Sequence, residues 1–175
     1  MKLILIDTQR LCLVEADTTS RYCSLSYVWG GAQVLRTTSE NREVLMRPGA
    51  LEKLRPAPVV QDAIQLTRSI KVRYLWVDAL CIPQDEGVLT AFYINRMDYI
   101  YSQSVLTIVA ASSTSAMDKL PGIRTGSRAP QQTPKIGPMR LVRRTQELGV
   151  HLDDVTYEGR AWSKRCMEGS KRDGH

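Results

Sequence analysis

Tyr74-Leu75-Trp76-Val77-Asp78-Ala79-Leu80-Cys81-Ile82-Pro83-Gln84-Asp85 is a continuous apolar run that ends in Pro and an acid and holds one further carboxylate inside it. A run of this composition predicts a strand buried on both faces, as in the middle of a parallel sheet. Asp78 conflicts with that environment, because an ionised group there costs several kcal/mol unless it is paired or hydrogen-bonded. Two roles stay open for it. It is either a structural acid satisfied by backbone amides or a nearby Arg (Arg68, Arg73 and Arg96 are the candidates), or a site group at a strand end.

Upstream of this stretch, Val59, Ala63, Leu66 and Ile70 fall at i, i+4, i+7 and i+11, which predicts an amphipathic helix running to about Lys71, with Pro56 and Pro58 before it. Downstream, Pro83 to Gly87 reads as a turn. Leu89, Tyr93, Met97 and Ile100 mark a second helical stripe ending near Tyr101, and Val105 to Ala111 is a second buried strand closed by Ser112-Ser113-Thr114-Ser115. Helix, strand, helix, strand predicts a right-handed βαβ unit in which the two strands pair in parallel.

Nearer the N-terminus, Leu3 to Ile6 and Leu11 to Val14 flank the polar turn Asp7-Thr8-Gln9-Arg10 and predict a β-hairpin. Tyr22 to Val28 is a strand that Trp29-Gly30-Gly31 ends with a tight turn, delivering the indole to the strand's carboxyl end. Trp29 there either plugs the core or contacts a ligand. Gln33 to Pro58 reads as loop with a short helix around Glu40 to Met46, and Pro121 to Pro138 as a mobile loop. Met139 to Val142 and Gly149 to Leu152 are marginal strands. The expected fold is α/β, a central mainly parallel sheet flanked by helices in flavodoxin-like order, with an N-terminal β-hairpin and an irregular C-terminal region. The expected division is an α/β domain over 1–122 including the hairpin, a mobile basic loop over 123–138, and an incomplete extension of the same domain over 139–175, frayed after 162. In open α/β sheets ligands sit beyond the carboxyl ends of the strands. That rule gathers Trp29, Gly30, Asp78, Cys81 and Ser112 as crevice candidates.

Composition narrows the functional classes. The 175 residues are 43% apolar and 24% charged, which excludes a fully disordered chain. No apolar run approaches the ~20 residues of a membrane helix, and Met1 to Asp7 is too short for a signal-peptide core, so a cytoplasmic location is expected. The four cysteines include no C-x-x-C pair and the only histidines are His151 and His175, so no metal site is expected. The net charge of +6 is concentrated after Arg124 without interleaved aromatics and reads as solvated loop and tail, not as a specific nucleic-acid surface. Cys81 has no nearby histidine base, and no phosphate-loop or dinucleotide glycine fingerprint occurs.

Four stretches in order carry a resemblance: Ser24-Leu25-Ser26-Tyr27-Val28-Trp29-Gly30, Gln61-Asp62-Ala63-Ile64, Arg73 to Asp85, and Ile94-Asn95-Arg96-Met97-Asp98-Tyr99-Ile100-Tyr101-Ser102-Gln103-Ser104. Together they strongly resemble the heterokaryon-incompatibility (HET) domain of filamentous fungi. The resemblance covers roughly Tyr22 to Gly122, with Arg160-Ala161-Trp162 similar to a further family motif. The motif residues are Tyr27, Trp29, Gly30, Trp76, Asp78, Cys81, Gln84, Asp85, Met97 and Tyr101. The resemblance implies an intracellular fungal module of allorecognition and programmed cell death that acts through protein partners or self-association, with a fold likened to Toll-receptor-type (TIR) domains. It implies no resident cofactor. Some TIR domains hydrolyse NAD with a glutamate on the helix after a central strand, and the alternative readings are therefore an NAD-cleaving enzyme or an inert truncated fragment. Two departures from the family pattern stand out. Ala91-Phe92-Tyr93 occupies the place where relatives often carry an acid about one turn before Met97, which leaves Asp78 and Glu86 as the catalytic candidates. Ser163-Lys164-Arg165-Cys166 does not continue the family motif after Trp162.

Overall fold

The structure, a computed structural model, describes residues 1–31, 33–128 and 135–140. Strands β1 (Lys2–Asp7) and β2 (Cys12–Asp17) form the expected hairpin, and β3 (Tyr22–Ser26) follows. Three helices come next: α1 (Arg42–Leu45), α2 (Ala50–Leu54), which falls in a stretch expected to be loop, and α3 (Pro58–Ser69). β4 (Tyr74–Trp76), α4 (Asp78–Cys81), α5 (Gly87–Ile94), α6 (Met97–Ser102) and β5 (Leu106–Val109) complete the main body. A two-stranded ribbon, β6 (Lys135–Ile136) with β7 (Met139–Arg140), turns at a Gly137 whose φ is +59°.

The opening stretch divides differently from the expectation. Only Tyr74–Trp76 is strand, and Asp78 begins a buried helical turn. Burial of Ala79, Leu80 and Cys81 keeps the run apolar through both elements. An apolar run cannot distinguish a buried strand from a buried helix, and that ambiguity is the source of the difference.

The sheet is mixed, in the order β2-β1-β4-β3-β5. β3 pairs in parallel with β4 and β5, whereas β1 pairs antiparallel with both β2 and β4. The expectation of a mainly parallel sheet therefore fails. The hairpin does not stand apart but joins the sheet through Ile6 opposite Leu75 and Asp7 opposite Tyr74. β4 and β5 are not neighbours either, because β3 lies between them. Counting the parallel strands alone, the order is second, first, third, the beginning of the doubly wound order 2-1-3-4-5. The full five-strand order departs from it.

Helices cover both faces. Tyr22, Ser24, Tyr74 and Trp76 share one face by register. Tyr22 Oη donates to the Ile100 carbonyl at 2.5 Å and Trp76 meets Tyr101 edge-on at 5.3 Å, so α6 packs there. Cys23, on the other face, meets Thr67 of α3. β3 is thus buried along its whole length, and β1 is buried from Leu3 to Asp7. The stripe foreseen on α3 is rotated, with Val59, Val60, Ala63, Ile64 and Thr67 facing the core and Ile70 exposed.

Two further expectations change. The stripe from Leu89 to Ile100 is two helices, because Arg96 leaves helical geometry with φ −121° and ψ 13°. β5 is not a doubly buried strand but an edge strand with Leu106 and Val109 exposed and Ile108 buried. Gly149 to Leu152 and the stretch after Trp162 lie outside the described residues.

Candidate functional site

Trp29 follows β3 at its carboxyl end, and Asp78 follows the parallel neighbour β4 at the same end of the sheet. Their side chains meet there. Trp29 Nε1 donates to Asp78 Oδ1 at 3.1 Å and to Oδ2 at 3.0 Å, and the Ala79 amide donates to Oδ1 at 2.8 Å. The three arginines considered for Asp78 have other partners. Arg73 pairs with Asp7, Arg68 donates to the Thr8 carbonyl, and Arg96 donates to the Phe92 carbonyl while lying 3.9 Å from that ring's centroid. Asp78 is therefore satisfied from outside the strand run, by the indole that the Trp-Gly turn delivers. Of the two roles left open for Trp29, the structure gives the packing one a geometry: it lies partly buried against the core while its indole N–H holds the acid.

A second cluster of motif residues positions a cation on this indole. Thr37 donates its amide to the Ala79 carbonyl at 3.0 Å and its hydroxyl to the Leu80 carbonyl at 2.6 Å, and its own carbonyl accepts the Gln84 amide at 2.9 Å. Gln84 Nε2 clamps α4 by donating to the Asp78 and Ile82 carbonyls. Asp85 accepts the Ser39 amide at 2.9 and 3.0 Å and the Ser39 hydroxyl at 2.6 Å, and the Ser39 hydroxyl and amide hold its carboxyl below the usual range. These bonds fix residues 37–39 against the α4 segment. Arg36, the residue just before Thr37, lies over the Trp29 ring at 4.8 Å from its centroid, a cation–π contact. Nothing in the sequence pattern marked Arg36, because the stretch that carries it has no periodicity.

At the switch point between β3 and β5, where ligands enter open α/β sheets, the chain approaches itself closely. Gly30 has φ +66°, and a Cβ there would stand 3.1 Å from both Cβ and Oγ of Ser115. The Ala116 amide donates to the Trp29 carbonyl at 3.2 Å. The loop after β5 thus meets the Trp29 turn through Ser115 and Ala116, while the expected contributor Ser112 is exposed. Cys81, the last residue of α4, is fully buried, and burial pushes its thiol up to about 12, far from a nucleophile's range. Glu86 stands at the start of α5 and its carbonyl accepts the Thr90 amide at 2.8 Å. Tyr27 and Trp76 are core residues, Tyr101 donates to the Leu25 carbonyl at 3.0 Å, and Met97 opens α6 half-buried.

Asp62 and Arg124 form an anchor that the sequence reading did not single out. The Asp62 carboxylate is 1% exposed, accepting Arg124 Nε at 2.6 Å and the Leu120 amide at 2.9 Å. The available signal was an acid in step with the apolar face of α3. Among the described residues, no cluster of three or more His, Cys, Asp or Glu side chains could hold a metal ion, and no helix is long and apolar enough to cross a membrane.

Trp29, Gly30, Asp78, Gln84 and Asp85 thus gather at one end of the sheet, while Tyr27, Trp76 and Cys81 belong to the core. The family model for heterokaryon incompatibility protein (HET) matches residues 22–165. The chain belongs to the HET family. No curated protein and no solved structure matches it. The HET match begins at the first residue of β3, so the hairpin lies outside it even though β1 pairs directly with β4. All four HET-like stretches read from the sequence fall within the match.

Proposed function

We propose that this HET-family chain serves fungal allorecognition and programmed cell death as a cytoplasmic interaction module that acts by self-association. The observation that carries the reading is helix α5. Its sequence, Gly-Val-Leu-Thr-Ala-Phe-Tyr-Ile, has no charged side chain, and within it only Tyr93 is buried. A helix apolar all round is normally covered. Here Val88 is 91% exposed, with Ile94 and Phe92 also exposed.

A second copy of the chain fits this face best. Beside α5, Phe92, Asn95, Arg96, Asp98 and Tyr99 line a shallow cleft of about 800 Å³. Its lining side chains include one cation and one anion, so a two-fold contact sets Arg96 of one copy toward Asp98 of the other and Val88 toward the opposing cleft. A strongly acidic or basic partner gains nothing from such a lining. The same helix carries no carboxylate, and the Asp78 oxygens are engaged by Trp29, which supports a contact role over NAD cleavage.

The test is sedimentation of the purified chain over a wide concentration range, paired with viability and cellular NAD after induced expression in a fungal host. Concentration-dependent assembly and death with NAD unchanged are expected, and Phe92→Glu is expected to abolish both assembly and death. A strict monomer without effect on viability would refute the reading. NAD loss that Asp78→Asn abolishes would establish the enzyme instead.

A further inference from the structure

A groove of about 580 Å³ runs along α3 and shares no residue with the Trp29 and Asp78 site. Its volume lies within the range of small-molecule pockets. Leu11, Leu51 and Ile64 supply apolar wall, and three guanidinium groups, those of Arg55, Arg68 and Arg124, share the lining with a single carboxylate, Glu52. The lining carries a net formal charge of +2, or +1 once Asp62, the buried partner of Arg124, is counted. Like charges gathered in one groove repel unless an anion enters.

Each arginine retains donors for such an anion. Arg124 commits its Nε to Asp62, and its two terminal nitrogens make no hydrogen bond among the described residues. Arg68 commits Nε to the Thr8 carbonyl, with a long contact of 3.5 Å from Nη2 to the Gln9 carbonyl, and Nη1 is uncommitted among the described residues. Arg55 makes no hydrogen bond or ion pair among them at all. It ends α2 with φ +46°, a left-handed conformation that residues other than glycine seldom adopt, and Pro56 follows it. Two of the three forks are therefore held through Nε with terminal donors to spare, the geometry in which arginine recognises phosphate by paired N–H bonds.

We propose that this groove binds a small organic phosphate, with its phosphate groups on Arg55, Arg68 and Arg124 and its apolar body on Leu11, Leu51 and Ile64. This is a ligand site separate from the self-association face and independent of it. The probes are ADP and inorganic pyrophosphate, titrated calorimetrically into the full chain at low and high salt, with urea unfolding to verify the fold of each variant. ADP is expected to bind saturably, more tightly than pyrophosphate and more weakly at high salt. Arg55→Gln, which removes no internal bond, is expected to weaken ADP about tenfold, the loss of one charge-assisted contact, and Arg55→Gln with Arg68→Gln further still. Absence of saturable ADP binding overturns the proposal, as does ADP affinity unchanged in folded Arg55→Gln. Equal affinity for pyrophosphate and ADP overturns the organic part of the assignment.

Discussion

Asp78 takes one backbone N–H from its own element, the Ala79 amide, and its side-chain donor from a tryptophan, which gives Trp29 an energetic role beyond filling space. Trp29→Phe retains a ring against the core but removes the bond to both carboxylate oxygens. A loss of about 1–2 kcal/mol is expected in urea unfolding at neutral pH, and an unchanged midpoint would mean that the remaining donors satisfy Asp78 equally well. Gly30→Ala tests the neighbouring position. There a methyl group meets Ser115 backbone and side chain within 3.1–3.2 Å while φ is +66°, so the two penalties add. A fall in thermal stability of about 1–2 kcal/mol is expected, whereas Gly31→Ala, with open space around it, is expected to have a much smaller effect.

Single elements explain why some of the architecture was legible and some was not. The hairpin announced itself through two short apolar runs flanking a polar turn and α3 through helical spacing, both of which act locally. β4 and α4 did not separate, because both are buried and burial erases the polar half of either pattern. The break between α5 and α6 was invisible for a similar reason, since Leu89, Tyr93, Met97 and Ile100 keep helical spacing across Asn95 and Arg96. Which residues meet at the candidate site was readable only as far as strand direction allowed: Trp29 and Asp78 followed from the carboxyl-end rule, while Arg36 depends on long-range bonds from Thr37 and Ser39 to the α4 segment. α6 is held to β3 partly through the Tyr22 hydroxyl, whose titration is pushed up to about 12 by burial and by Tyr99 nearby. Tyr22→Phe leaves the Ile100 carbonyl without this donor, and about 1–2 kcal/mol of stability is expected to go with it. Hydrogen exchange should rise in Met97–Ser102 first; a uniform rise across the sheet would show that α6 is not a separable unit.

For the whole molecule, the junction between the hairpin and the rest of the sheet should govern acid sensitivity. Asp7 is buried, a condition that alone raises its titration. Hydrogen bonds from Arg73 and from the Arg10 and Gln9 amides outweigh burial and hold the carboxyl below its ordinary value. A carboxylate lowered in the folded state contributes stability that is fully present above its unfolded value, near 3.9, and is lost as pH falls through the folded value. The urea midpoint is therefore expected to drop below about pH 4. Asp7→Ala should cost about 2 kcal/mol at pH 7 and flatten that acid limb, and a limb equally steep in the variant would place the sensitivity elsewhere.

The interleaved strand order also sets a timetable for synthesis. β1 finds its partner β4 only when residues 74–76 have been made, and β3 has both of its neighbours, β4 and β5, later in the chain. At about 5–20 residues per second, the 67 residues from Thr8 to Tyr74 correspond to roughly 3–13 s. Throughout that interval the apolar strands Leu3 to Ile6 and Tyr22 to Ser26 leave the ribosome with open edges. Yield in a cell should therefore respond to translation speed and to chaperones that hold nascent β-strands, even where the finished protein is stable.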